Sequence, residues 1–141
     1  MNSKVKTEFE TAYLQTNYVV QDGENQIVIR IGKDNSVLQE LLRRYGAYNC
    51  AFITAYNPFS KKLAVQENQS RQSELLNYLR QKHFRFLEGY GESQSNDWEP
   101  EPSAFIFDIG LNDAIAIGKR FEQNAFVFGK AESTPQLVWC R

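Results

Sequence analysis

The sequence has few cysteines, one histidine and no long apolar segment, and each shortage excludes a class of protein. Two cysteines, Cys50 and Cys140, are too few for a disulfide framework or a four-ligand zinc site. No apolar run approaches the roughly 20 residues of a membrane span, and no secretory signal follows the first lysines. The single histidine, His83, has no Ser, Cys or Asp beside it that would indicate a catalytic triad. We therefore expect a cytoplasmic protein with no membrane segment.

Strong net charge is also absent, because 16 Lys and Arg stand against 17 Asp and Glu. A general nucleic-acid binder is usually basic, so nucleic acid is not an expected partner. The balance conceals two blocks: residues 33–85 carry nine bases and four acids, whereas residues 86–118 carry seven acids and no base. Three interpretations stay open. The blocks are ordinary solvated surfaces, or the acidic 86–118 face binds a basic protein partner. The third and weakest is that the basic 33–85 segment binds nucleic acid with Tyr45, Tyr48 and Tyr56.

The pattern of apolar residues predicts one α+β domain over residues 1–141. Predicted helices cover 9–14, 37–45, 64–82 and 112–121; predicted strands cover 26–31, 50–55, 84–87, 104–109, 125–128 and 136–139; residues 89–103 are predicted as a loop. From 50 to 128 the order is β-α-β-β-α-β, which is the ferredoxin-like pattern. We expect a mixed sheet with helices on one face and an N-terminal helix and hairpin as an extension. A doubly wound sheet is the alternative.

The long predicted helix has a core-facing stripe that changes from apolar to polar. Leu75 and Leu79 define the stripe, and rotation by about 100° per residue places Asn68, Arg71 and Gln72 on the same side. Buried amides and guanidinium groups require partners. Either these side chains line a pocket, or this end of the helix extends beyond the sheet into water.

Other polar residues stand at predicted element ends. Asn57 ends the 50–55 strand, as a ligand-binding residue or as a turn residue before Pro58. Trp98 is a lid over the core or an exposed stacking surface, and Glu101 lies in the same proline-rich segment. Gln123 and Asn124 offer amides to a ligand or cap the preceding helix. Tyr13 and Tyr18 are structural or add polar tips to this region, while Cys140 is expected to be exposed.

These motifs resemble a small bacterial family known only as a domain of unknown function. The resemblance rests on Thr54-Ala55-Tyr56-Asn57-Pro58, Glu67-Asn68, Arg71-Gln72, Gly89 and Gly91, Asp97-Trp98 with Glu101-Pro102-Ser103, and Gln123-Asn124-Ala125. Glu99 departs from the family pattern, in which a proline is usual. The resemblance implies a bacterial, intracellular, single-domain protein, and it supplies no activity.

We therefore predict a pocket for a small polar or anionic ligand, which either only binds the ligand or also acts on it. Its predicted ligand-binding residues are Asn57, Asn68, Arg71, Trp98, Glu101, Gln123 and Asn124. Arg71 is expected to hold an anionic group, and Glu101 is the best candidate for an acid or base. The carboxylates give only a weak signal for a metal, so no metal site is predicted, and the sequence leaves any cofactor unknown. The alternative is a protein-interaction or regulatory module that uses the acidic 86–118 face.

Overall fold

The computed structural model describes residues 1–141 as four helices and one seven-stranded sheet, which confirms the α+β class. The helices are α1 (Ser3–Leu14), α2 (Ser36–Arg44), α3 (Val65–Gln81) and α4 (Leu111–Arg120). The strands are β1 (Thr16–Asp22), β2 (Asn25–Ile29), β3 (Asn49–Thr54), β4 (Phe86–Ser93), β5 (Glu101–Phe107), β6 (Ala125–Lys130) and β7 (Gln136–Trp139).

The sheet is antiparallel throughout, so the predicted mixed sheet is wrong. The strand order is β2-β1-β4-β5-β3-β6-β7, and every neighbouring pair runs antiparallel. The central strand β3 pairs with both β5 and β6, each of which reaches it through a long connection. The N-terminal hairpin of β1 and β2 joins the sheet through β4, as the predicted extension requires.

Helices cover both faces of the sheet, which corrects the prediction that they lie on one face. Leu75 of α3 and Ile117 of α4 pack in one apolar cluster with Ile53, whereas Leu41 of α2 packs in the other with Phe52. Successive side chains of a strand point to opposite faces. The uninterrupted apolar run of β3 therefore presents buried side chains to both sides and requires cover on both.

The strands around the predicted 89–103 loop are longer than expected. β4 continues to Ser93 and β5 begins at Glu101, so only residues 94–100 connect them. At Gly89 the strand continues because the residue is glycine. A Cβ at this position would overlap the carbonyl oxygen of Val19 on the neighbouring strand. Here glycine allows a close approach of two strands instead of marking a turn.

Helices α2 and α4 begin differently. Asn35 caps α2, and its side-chain oxygen accepts a hydrogen bond of 2.9 Å from the Leu38 N–H. Helix α4 begins after Gly110, which offers no side chain for capping. None of the four helices is both long enough and apolar enough to cross a membrane.

Cys140 is buried at 5% exposure, which contradicts the expectation that it is exposed. Its sulfur packs against Gly118 of α4, where a Cβ would overlap it. Burial raises the pKa of the Cys140 thiol to about 11 and that of the Cys50 thiol to about 12. Both cysteines are free thiols that stay protonated near neutral pH.

Candidate functional site

The connection that follows β3 has an unusual backbone. Within residues 55–60, called here the 55–60 loop, Asn57, Phe59 and Ser60 all have positive φ, at 49°, 51° and 63°. Residues other than glycine occupy this region at a cost of about 1–2 kcal/mol each. A loop with three such residues persists only where surrounding contacts hold it, and the predicted site residues supply most of those contacts.

Helix α3 holds the start of the loop through two buried amides. The Oδ1 atom of Asn68 accepts a 2.8 Å hydrogen bond from the Asn57 N–H, and Oε1 of Gln72 accepts one of 3.2 Å from the Ala55 N–H. Asn68 and Gln72 are 4% and 7% exposed. For these two residues the polar end of the helix does not extend into water, and their partners are loop backbone groups.

Arg71 connects the loop to the end of α4. Its Nε donates to the Ala55 carbonyl at 2.7 Å and its Nη2 to the Phe121 carbonyl at 2.6 Å, while Nη1 lies 3.4 Å from Oε1 of Glu122. Each guanidinium nitrogen therefore already has a protein acceptor. An anionic ligand would have to compete with these oxygens, so a binding role for Arg71 remains a prediction and its contacts are structural.

We expect Arg71→Ala to lower the free energy of unfolding by about 2–3 kcal/mol, because two part-buried carbonyls lose their charged donor. Glu122→Gln removes the exposed ion pair but keeps both carbonyl bonds, and its cost should stay below about 1 kcal/mol. Urea denaturation of the two variants separates the contributions. Equal losses would show that the ion pair, and not the carbonyl bonds, provides the stabilisation.

Gln123 and Asn124 hold the middle and end of the loop. The Nε2 atom of Gln123 donates to the Tyr56 carbonyl at 3.1 Å, and Nδ2 of Asn124 donates to Oγ of Ser60 at 2.9 Å. Both amides are buried. The residue with positive φ after α4 is Glu122, at 57°, so the predicted left-handed cap at Asn124 is wrong.

Asn57 joins the loop to Glu101 at the start of β5. Its Nδ2 donates to Oε1 of Glu101 at 2.8 Å, and its Oδ1 accepts from Nδ2 of Asn68 at 2.8 Å and from the Leu63 N–H at 3.0 Å. The left-handed backbone at Asn57 is one that asparagine tolerates better than most residues. Asn57, Asn68 and Glu101 therefore form one continuous hydrogen-bonded cluster.

Glu101 is a largely buried carboxyl group without a basic partner. It forms none of the three ion pairs of the protein, and its pKa is raised above the usual value by burial, an effect that the Asn57 hydrogen bond opposes. A buried carboxylate without a cation is costly, so the neutral form gains population.

Two tyrosine hydroxyls lie within electrostatic reach of Glu101. Burial raises the pKa of Tyr13, and the negative charge of Glu101 raises it further. The same two causes, in the same order, raise the pKa of Tyr56. Tyr13 lies on α1, and its ring meets Trp139 edge-on at 6.0 Å. The sequence offered Tyr13 either as a structural residue or as a polar tip in this region, and the effect of Glu101 on its pKa is compatible with the second interpretation.

Trp98 and the acidic segment have different surroundings. Trp98 is half-buried and lies beside Gly91, the strand partner of Glu101, and it makes no hydrogen bond to the 55–60 loop. The acids of 86–118 do not all point to a free surface, because Glu101 contacts Asn57 and Asp108 pairs with Arg85 at 2.8 Å. The protein-interaction hypothesis remains a prediction, and fewer acidic side chains are free to contact a partner than the sequence suggested.

The arrangement contains no group of three His, Cys, Asp or Glu side chains able to hold a metal ion. Two surface cavities lie outside the predicted residues. One, of about 380 Å³, is lined by α1 and by Phe59 and Lys61. The other, of about 440 Å³, lies between β2 and α2. The site is therefore a set of side chains that immobilise the 55–60 loop and place Glu101 beside it.

Fold and site together define an α+β protein in which buried amides and one arginine secure a strained loop next to a carboxyl group. The chain belongs to the family described as Protein of unknown function (DUF3293), whose model matches residues 53–126, just over half of the sequence. This confirms the resemblance to a family of unknown function. All seven predicted site residues lie in the matched range, whereas Tyr13 lies outside it. No curated protein and no solved structure matches the chain significantly.

Proposed function

We propose that Glu101 and the 55–60 loop form a binding site for a small polar ligand, with Glu101 able to donate or accept a proton. The observation that carries the proposal is that the polar residues of the family motifs hold the 55–60 loop. Asn57, Asn68, Arg71, Gln123 and Asn124 all hydrogen-bond to backbone or side-chain atoms of the loop or lie within it. Strain maintained at this cost is typical of functional loops.

The charges favour a neutral or cationic ligand group at Glu101. Arg71 has acceptors on all its nitrogens, and Glu101 carries the only carboxyl group of the cluster. Its second oxygen has no protein donor, so it is available to a ligand hydroxyl or amine. A raised pKa brings a carboxyl group closer to the range in which acid–base catalysis is effective.

Glu101 is only partly buried, and its second oxygen is not among the fully buried polar atoms that lack a partner, so a ligand can reach it. The proposed ligand-contacting groups are the free oxygen of Glu101 and the hydroxyls of Tyr13 and Tyr56, with Asn57 positioning Glu101.

The test compares Glu101→Gln with Glu99→Gln, an exposed acid in the same segment. A thermal-shift screen with nucleotides, sugar phosphates and amino acids should identify compounds that raise the melting temperature of wild type and of Glu99→Gln but not of Glu101→Gln. A screen whose hits stabilise all three proteins equally would refute the role of Glu101.

The raised pKa of Glu101 predicts how stability depends on pH. Because its folded-state pKa lies above the unfolded value of 4.5, the folded protein binds the proton more tightly. Stability therefore falls as pH rises from about 4.5 through the raised pKa. Glu101→Gln should be more stable than wild type at neutral pH, and this advantage should vanish below pH 4.5. Denaturation at about pH 4 and pH 7 measures it, and Glu99→Gln should show no such difference.

We further propose a cytoplasmic location and a single domain. The two buried free thiols are consistent with a reducing compartment, and one continuous sheet carries all seven strands. The order β4-β5-β3-β6 with α3 and α4 on one face supports a ferredoxin-like core. We also propose that the protein is bacterial, as its resemblance to the family implies.

A further inference from the structure

A cavity beside the 55–60 loop combines apolar walls with two cations. It has a volume of about 380 Å³, and its lining includes Val5 and Phe9 of α1, Phe59 of the loop, Lys61 and Arg141. No acidic side chain lines it. The volume falls in the range of small-ligand sites, and Glu101 is not among the lining residues.

The guanidinium group of Arg141 is oriented by two contacts at this cavity. It lies 4.2 Å from the centre of the Phe59 ring, and its Nη1 donates to Oδ1 of Asn124 at 3.2 Å. Asn124 is fully buried and is itself bound to Ser60, so a rigid amide orients the cation. The remaining N–H groups of Arg141 have no protein acceptor.

The two cations of the cavity lack acidic partners. The ion pairs of the protein are Arg44–Asp22, Arg71–Glu122 and Arg85–Asp108, and neither Lys61 nor Arg141 takes part in one. An oriented guanidinium group with free donors matches the oxygens of a carboxylate or phosphate. Nearby aromatic and aliphatic walls favour a ligand that also has an apolar body.

We propose that this cavity binds a small organic anion, with its carboxylate or phosphate on Lys61 and Arg141 and its apolar body against Phe9 and Phe59. Arg141 is a preorganised anchor, because ordering it costs little at the moment of binding. Asn124, a residue of the matched family range, acts here as the positioning residue for Arg141. The cavity shares Phe59 of the 55–60 loop with the site proposed above, but Glu101 does not line it.

The experiment titrates ¹⁵N-labelled protein with two aromatic anions, phenyl phosphate and phenylacetate. Benzyl alcohol is the neutral control, and inorganic phosphate is the control that lacks an apolar body. Saturable amide shifts around residues 5–9 and 59–61 are expected with the two aromatic anions. Lys61→Gln should weaken binding roughly threefold to tenfold, whereas Lys62→Gln, the adjacent exposed lysine, should leave it unchanged. Phe9→Ser should remove the preference for phenyl phosphate over inorganic phosphate.

Two results would overturn the proposal. One is a benzyl alcohol affinity equal to that of the anions, and the other is equal weakening by Lys61→Gln and Lys62→Gln. Glu101→Gln should retain anion binding, so failure of the Glu101 site and failure of this cavity are separately visible. Circular dichroism of Lys61→Gln and Phe9→Ser checks that both variants keep the fold, which is expected because neither position is buried.

Discussion

Replacing Gly89 with alanine is expected to lower the free energy of unfolding by about 3 kcal/mol or more. The added Cβ would overlap the carbonyl oxygen of Val19 and approach Val20 Cα at 3.2 Å. Both are backbone atoms of β1, whose Val20 is the register partner of Gly89, so no side-chain rotation relieves the overlap. The strands β1 and β4 must separate locally, and their hydrogen bonds weaken.

Gly91→Ala provides the matched control two residues along the same strand. A Cβ at Gly91 meets no atom closer than 3.4 Å, the distance to Cγ2 of Thr16. Alanine also reduces the conformational freedom of the unfolded chain, so stability should change by less than about 1 kcal/mol. Urea denaturation of both variants decides the matter: similar losses at Gly89 and Gly91 would contradict the close-approach explanation.

Asn57→Ala is expected to cost about 3 kcal/mol through two additive effects. Its side chain makes three hydrogen bonds, to Glu101, Asn68 and the Leu63 N–H, and truncation leaves these part-buried groups without a partner. Alanine also tolerates the left-handed backbone at φ 49° less well than asparagine. Both effects act on the same loop, so the 55–60 loop should become mobile.

Asn57→Gly separates the two effects. Glycine loses the same hydrogen bonds but adopts positive φ freely, so it should be more stable than Asn57→Ala by about 1 kcal/mol. Chemical denaturation gives both values, and hydrogen exchange at residues 55–63 reports the loop. A glycine variant no more stable than the alanine variant would show that the backbone at position 57 carries little strain.

Much of the fold could be predicted from local patterns. The alternation of Ile27 and Ile29 and the continuous apolar run at 50–55 predicted strands that the structure contains. The same run is buried on both faces and so requires cover on both sides of the sheet, a consequence that the prediction of helices on one face missed. The direction of strand pairing is different, because it depends on which strands meet across long connections, and no local pattern at β3 records that β6 runs antiparallel to it.

Most of the polar side chains singled out in the sequence contact the 55–60 loop, and their role in ligand binding stays a prediction. The polar stripe on α3 correctly marked Asn68 as an inward-facing side chain, because helix rotation is a local property. Its partner was not predictable, since Asn57 reaches it only through a backbone with positive φ at several residues. For Tyr13 the sequence left two interpretations open, because the electrostatic effect of Glu101 on its hydroxyl joins distant parts of the chain and no local spacing records it.

The pairing of β1 with β4 also has a consequence for folding during synthesis, because β4 is made much later than β1. Thr16 pairs with Ser93 and Val20 with Gly89, so the N-terminal hairpin has no neighbour until β4 leaves the ribosome. At synthesis rates of about 5–20 residues per second, that interval lasts several seconds. An isolated two-stranded hairpin is marginally stable at best, so in the meantime Val20, Ile27 and Ile29 depend on the α2 residues of their cluster, such as Leu38 and Leu41, for cover. Helix α2 therefore protects the hairpin before its neighbouring strand exists.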